Sequence, residues 1–149
     1  MKTFRSVLVD DEWHARQNLK LLLEQYCPQI EVIDTADGLA SGYELVKKHQ
    51  PDILFTDIRM PSGAEGFELV TSIPKKQLQV VFVTAFKGFA VDALQRNHID
   101  YLLKPIDIKE LVQLIEKIMA DRARFEASPI AFENYHKALD RLADSLTNG

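Results

Sequence analysis

A small set of polar side chains follows short apolar runs in this sequence, and these side chains suit phosphoryl-transfer or metal chemistry. Three carboxylates, one hydroxyl and one ammonium group make up the set: Asp10, Asp11, Asp57, Thr84 and Lys104. In an open parallel sheet, functional groups gather at the carboxyl ends of the strands. If each apolar run is a strand of one such sheet, all five side chains lie at the same edge.

The carboxylates predict a metal site. Asp10 and Asp11 follow the first predicted strand and Asp57 follows the third, and these two strands are normally neighbours in a sheet of this kind. Three carboxylates so close together repel one another unless a cation lies between them. A hard divalent cation that prefers oxygen ligands and keeps some of its water suits such a site, which points to Mg²⁺.

Each remaining group has a task if the chemistry is phosphoryl transfer. The ionised carboxylate of Asp57 would attack phosphorus and form an acyl phosphate. Mg²⁺ and the ammonium group of Lys104 would neutralise charge on the transferring oxygens, since positioning and electrostatics dominate this chemistry. The hydroxyl of Thr84 would donate a hydrogen bond to a phosphoryl oxygen after transfer.

The elements that position these groups follow from hydrophobic periodicity. Short β-branched runs alternate with longer amphipathic segments, and a helix is predicted after every strand. Five such units call for a parallel sheet covered by helices on both faces, which is a doubly wound α/β domain. The predicted strands are Ser6–Val9, Ile30–Thr35, Ile53–Thr56, Val80–Thr84 and Ile99–Leu103.

Composition excludes several classes of protein. The chain has 149 residues and a formal net charge of −4, which argues against a broad nucleic-acid-binding or lipid-binding surface. Cys27 is the one cysteine, so no internal disulfide forms and a reducing compartment is expected. The apolar run before Asp10 is too short for a signal peptide or a membrane span. We therefore expect a cytoplasmic protein that does not interact with membranes.

The last part of the chain has a different pattern. Ser128-Pro129 is typical of a helix start, with serine at the cap and proline at the first helical position. Apolar residues then recur at alternating spacings of three and four, as in a short coiled-coil seam: Phe132, Tyr135, Leu139, Leu142 and Leu146. We predict one domain over residues 1–124 and a linker or dimerisation helix over 125–149, which packs against a partner or leads to a further domain.

Four segments of the sequence resemble the signature blocks of response-regulator receiver domains from two-component systems. The resemblance extends from about Phe4 to Met119, with the blocks in the family's order and spacing, and it implies the flavodoxin-like fold of CheY. The segments are Val7-Leu8-Val9-Asp10-Asp11-Glu12, Asp57-Ile58-Arg59-Met60-Pro61, Val83-Thr84-Ala85 and Lys104-Pro105.

Two further segments suggest a closer likeness within the family. Asp11-Glu12 followed by Ala15-Arg16, and the run Ile99–Ile106, look like receivers that carry LytTR-type DNA-binding modules. Such a module needs on the order of 100 further residues and is not among these 149. The likeness implies control of transcription through an output domain outside this segment, which itself does not bind nucleic acid; the alternative is a protein that stands alone and acts through contacts with others.

The resemblance implies a partner and a role for each site residue. A sensor histidine kinase would phosphorylate Asp57, without the chain being an enzyme in the ordinary sense. Mg²⁺ would be held by Asp10, Asp11, Asp57 and the backbone carbonyl of Arg59. Thr84 and Tyr101 would form a switch pair, and the Lys104-Pro105 peptide bond would be cis.

We expect phosphorylation to change the surface near the fourth helix and to promote a homodimer. The apolar residues Phe86 and Phe89 beside that helix motivate this hypothesis. Arg59 and Phe86 flank the predicted pocket, and we expect them to set how fast water removes the phosphoryl group. The loop Ser62–Gly66 is one residue longer than the family's usual loop, which leaves its local structure open.

Three other functions compete with this interpretation. An aspartyl-phosphate hydrolase generally needs a second acid two residues after the nucleophile, where this chain has Arg59. A flavodoxin-like cofactor binder needs a glycine- and hydroxyl-rich loop after the first strand, where Asp10-Asp11-Glu12 would repel phosphate. A phosphate-independent interaction module would not need all of these side chains.

Overall fold

The computed structural model describes residues 2–74, 77–85 and 88–148. Within them, five strands alternate with helices, and a sixth helix follows at the end. The strands are β1 Phe4–Val9, β2 Ile30–Ala36, β3 Ile53–Thr56, β4 Gln79–Thr84 and β5 Tyr101–Leu103. The helices are α1 Trp13–Tyr26, α2 Leu39–His49, α3 Glu65–Ser72, α4 Phe89–Arg96, α5 Ile108–Ala127 and α6 Pro129–Asn148.

The strands form one parallel sheet in the order β2-β1-β3-β4-β5. This confirms the doubly wound α/β fold predicted from the sequence. Val9 pairs with Thr56 where β1 and β3 end, so Asp10 and Asp57 leave the sheet side by side. The carboxylates that are 47 residues apart in the sequence therefore become neighbours.

The helices cover both faces of the sheet, and side-chain alternation along the strands assigns each residue to a face. Helices α1 and α5 pack on the face that carries Leu8, Phe55 and Leu102. Helices α2, α3 and α4 pack on the opposite face, which carries Val80 and Phe82. Two hydrophobic clusters result, one on each side of a sheet whose central strands are fully buried.

The element ends differ from the predicted ones where backbone hydrogen bonding extends or shortens an element. Strand β5 begins at Tyr101 because the amide of Ile99 donates to the carbonyl of Leu94 and so closes the end of α4. Helix α5 continues to Ala127 without a break. The division of the chain at residue 124 therefore falls inside a helix and stays a prediction.

Helix α6 packs back onto the α/β fold that precedes it. The Ser128 hydroxyl accepts a hydrogen bond from the amide of Ala131, as the predicted cap requires. Leu139, Leu142 and Ala143 are buried in the cluster formed with α3 and α4. The apolar seam predicted from the three-four spacing is thus in contact with this chain's own core.

No helix among the described residues combines the length and the apolar character needed to cross a bilayer. The hypotheses that involved Phe86 concern a residue outside the described ranges. Its predicted neighbour Phe89 lies at the start of α4 and is 70% exposed.

Candidate phosphoacceptor site

Three carboxylates meet at the carboxyl edge of the sheet. Oxygens of Asp10, Asp11 and Asp57 lie within 4.8 Å of one another. Asp10 and Asp57 are nearly buried, at 6% and 8% exposure, whereas Asp11 faces solvent. The sequence predicted this cluster, and the structure brings all three of its members together.

Lys104 is the cation at this cluster. Its ammonium group donates to Asp10 Oδ2 at 2.6 Å and to Asp57 Oδ2 at 3.0 Å. Burial alone would lower the pKa of Lys104, but the hydrogen bonds to Asp10 and Asp57 outweigh it and raise the pKa above its usual value. Lys104 therefore stays charged, but among the described residues it is the one ammonium group paired with this cluster of three carboxylates, which leaves them with excess negative charge.

The excess negative charge of the carboxylate cluster is suited to a divalent cation. Carboxylate oxygens in close proximity are the ligands that Mg²⁺ prefers, and one dication balances the two negative charges that Lys104 leaves over. Exposed Asp11 lies on the solvent side, where a bound ion would keep its waters. The donor set is therefore consistent with a divalent metal site.

The backbone holds Asp57 firmly. Its amide donates to the carbonyl of Val9 at 3.0 Å, and its Oδ1 accepts from the amide of Ile58 at 2.7 Å. The carbonyl of Asp57 accepts from the hydroxyl of Thr56. A Cβ added at Gly66 would lie 2.0 Å from that carbonyl oxygen, so only glycine allows α3 to approach so closely.

The loop between β3 and α3, whose structure the sequence left open, is closed by Glu65. Its Oε1 accepts from the amides of Met60 and Gly63 at 2.8 and 2.9 Å. Burial alone would raise the pKa of Glu65, but hydrogen bonds from loop amides outweigh it and lower the pKa. The loop thus turns around one carboxylate.

Thr84 ends the strand next to the one that Asp57 follows, and Tyr101 lies three residues before Lys104. Thr84 ends β4 and is buried, and its carbonyl accepts from the amide of Lys104. Tyr101 pairs with Phe82 and packs against the cluster shared with α4. By strand alternation, Thr84 and Tyr101 point to the same face, where α4 lies.

Two contributors to the site were not recognised as such in the sequence. Arg16 donates to the carbonyl of Asp10 at 2.7 Å and so ties α1 to the turn that carries the acidic pair. Glu65 orders the loop after Asp57. The sequence signal that could have identified Glu65 is an acidic residue in the first turn of a predicted helix, directly before Gly66. The Lys104-Pro105 bond is cis, as the resemblance implied, and so is Met60-Pro61.

Comparison with known protein families identifies this arrangement. Residues 7–116 match the family described as "Response regulator receiver domain". The chain belongs to the response-regulator receiver family. A receiver is a phosphoacceptor signalling domain rather than a conventional enzyme, and the carboxylates that this family requires are the ones that meet here with Lys104.

The curated relatives include LytTR-type regulators, which confirms the closer likeness seen in the sequence. The transcriptional regulatory protein BtsR of Escherichia coli K12 is 36% identical over 82% of this chain and 51% of its own length. The sensory transduction protein LytT of Bacillus anthracis is 38% identical over 74% of this chain and 45% of its own length. The chain thus spans about half the length of the curated relatives it matches.

Solved structures agree with the fold. The response regulatory domain of protein mrkE from Klebsiella pneumoniae is 27% identical, with a TM-score of 0.68 over 80% of this chain and 98% of that one. A LuxR-family two-component response regulator from Aurantimonas is 31% identical, with the same TM-score over 81% of this chain and 88% of that one.

Proposed function

We propose that this receiver accepts a phosphoryl group on Asp57 from the phosphohistidine of a sensor kinase. The observation that carries the proposal is the position of Asp57 beside two other carboxylates and the ammonium group of Lys104. An oxygen of Asp57 forms the new bond to phosphorus, and the bond from phosphorus to the donor nitrogen breaks. The electron pair of that bond leaves with the imidazole, so the step needs no further reactant.

The residues around Asp57 have distinct tasks in this reaction. Ile58 holds Oδ1 through its amide, which keeps the carboxylate oriented. The ammonium group of Lys104 forms ion pairs with both Asp10 and Asp57. Its positive charge therefore lies beside the position that the incoming phosphoryl oxygens would occupy. Asp10, Asp11, Asp57 and the carbonyl of Arg59 would hold Mg²⁺. The ion would supply positive charge that balances the phosphoryl oxygens.

Thr84 and Tyr101 would carry the switch. Both lie on the face of the sheet that α4 covers, and Tyr101 already packs against the cluster beneath that helix. A phosphoryl group that draws the Thr84 hydroxyl toward it changes the packing available to Tyr101 and α4. Exposed Phe89 at the start of α4 supports a surface that forms a homodimer after phosphorylation.

The output of this switch would be control of transcription in the cytoplasm. The relatives named as transcriptional regulators are about twice as long as the region that they share with this chain. We infer that a DNA-binding domain outside these 149 residues reads the state of the receiver. The segment described here would contribute the phosphoacceptor and the dimer surface.

Phosphorylation is tested by incubating the protein with acetyl phosphate and Mg²⁺ and measuring its intact mass. We expect one phosphoryl addition in the wild type that disappears in EDTA and in Asp57→Ala. Asp92→Asn, which removes an exposed aspartate on α4, is the matched control and should be phosphorylated normally. An unmodified wild type under every condition would leave a phosphate-independent interaction module as the function.

Dimerisation is tested separately by sedimentation velocity with beryllium fluoride and Mg²⁺. The proposal requires a larger species that depends on both additions and on Asp57. Sedimentation as a monomer in all samples would remove the dimer from the mechanism and leave the phosphoacceptor role intact.

A further inference from the structure

Hydrogen bonds hold each of the three consecutive peptide groups after Asp57. The amide of Ile58 donates to the Asp57 side chain. The carbonyl of Ile58 accepts from the amide of Gly66 at 2.8 Å. The amide of Met60 donates to Glu65 Oε1 at 2.8 Å. Two of these three bonds come from the first turn of α3, so that turn determines how the backbone runs past the site.

The bond to Met60 has a specific geometric consequence. The amide of Met60 and the carbonyl of Arg59 belong to the same trans peptide group, which is planar. The N–H and C=O of such a group point in opposite directions. Because the N–H is directed at Glu65, the carbonyl of Arg59 is directed away from Glu65 and cannot rotate without breaking that bond.

We propose that Glu65 is a positioning residue that orients the backbone carbonyl of Arg59 toward the metal. This inference rests on the proposed function, in which that carbonyl is a ligand of Mg²⁺. Glu65 acts from outside the ligand set, by holding the far side of the ligand's peptide group. A carboxylate that accepts a hydrogen bond from the amide also polarises the peptide group, which makes the carbonyl oxygen of Arg59 a better metal ligand.

The contact to Gly63 explains why a glutamate is suited to this position. A single oxygen, Oε1, accepts from both Met60 and Gly63, so the side chain must reach across the whole loop. Glu65 begins α3, and Gly66 beside it approaches the Asp57 carbonyl so closely that no larger residue fits. The helix start, the loop and the phosphoacceptor are therefore one connected unit.

The inference is tested by measuring Mg²⁺ affinity without any phosphodonor. Equilibrium unfolding in EDTA and in a series of MgCl₂ concentrations yields the dissociation constant from the stabilisation by the ion. We expect Glu65→Ala to bind Mg²⁺ about tenfold more weakly, as is typical when a residue that orients a metal ligand is lost. Glu68→Ala, which removes the other acid in the first turn of α3, should bind as the wild type does.

Two conservative variants separate position from charge. The amide oxygen of Glu65→Gln still reaches both loop amides, whereas Glu65→Asp keeps the charge but is one methylene too short. Positioning predicts that the glutamine variant binds Mg²⁺ better than the aspartate variant, and a pure charge effect predicts the reverse. This ranking stays decisive even if the alanine variant does not fold in EDTA.

Failure of the inference is distinguishable from failure of the proposed function. A wild type that neither gains stability from Mg²⁺ nor accepts a Mg²⁺-dependent phosphoryl group contradicts the proposed function. A wild type that does both, with Glu65→Ala binding Mg²⁺ equally well, contradicts only the role of Glu65. Equal losses in Glu65→Ala, Glu65→Gln and Glu68→Ala would also overturn it, because the effect would then be one of charge.

Discussion

A partly buried cation lies at one edge of the sheet and a buried cation at the other, and the charges around them are arranged differently. At the carboxyl edge, Lys104 faces three carboxylates. At the amino edge, Arg122 is 3% exposed and pairs with Asp52 at 2.9 Å. The first edge brings three carboxylates within 4.8 Å of one another, whereas at the second a buried guanidinium lies 2.9 Å from Asp52 and 3.5 Å from Glu126.

Further hydrogen bonds form at the amino edge. The guanidinium of Arg122 also donates to the carbonyls of Asp52 and Gln77, and the Asp52 carboxylate accepts from the amide of Arg5. The guanidinium lies near the rings of Phe4 and Phe132, which adds cation–π attraction. This edge joins β1, α5 and α6, so we infer that it contributes stability, whereas the repelling carboxylates at the carboxyl edge reduce it.

The largest expected effect tests the amino edge. Arg122→Met should lower the free energy of unfolding by about 3 kcal/mol, because it removes a buried guanidinium and leaves the partly buried Asp52 carboxylate without this partner. Denaturant unfolding measures the change, and phosphorylation of the folded protein should persist. Arg124→Met, at a position whose side chain is 60% exposed, is the control and should change stability little. Equal stability of both variants would contradict the contrast between the edges.

A smaller effect is expected where α6 meets the start of β4. The amide of Val80 donates to the hydroxyl of Tyr135 at 2.8 Å, and burial raises the pKa of that tyrosine. Tyr135→Phe leaves a buried amide without its partner, which should cost about 2 kcal/mol in denaturant unfolding. Tyr26→Phe, at an exposed position, should cost almost nothing. Matching values for the two variants would mean that α6 does not dock as described.

The smallest expected effect is an increase in stability rather than a loss. Asp11→Asn removes one of three repelling charges at the carboxyl edge, so stability in EDTA should rise by up to about 1 kcal/mol. Added Mg²⁺ should then stabilise the variant less than it stabilises the wild type. The free energy of unfolding with and without MgCl₂ reports both changes. A variant less stable than the wild type in EDTA would show that the carboxyl edge is not strained by its charges.

Much of the candidate site was predictable because local patterns determine it. Strand alternation and parallel order place Asp10, Asp57 and Lys104 at one edge, and the distances confirm that placement. The closure of the loop by Glu65 was not predictable, since one carboxylate accepting from two loop amides depends on how the turn folds.

The sequence by itself determined the order of the elements, and with it the edge of the sheet at which the acidic residues meet. These properties follow from periodicities of two and 3.6 residues, which short segments of chain carry. Only the tertiary structure decided that α6 packs against α3 and α4, and that Arg122 closes the amino edge. The apolar seam of α6 can pack against any apolar surface. Its partner therefore depends on which apolar surfaces remain exposed in the complete fold.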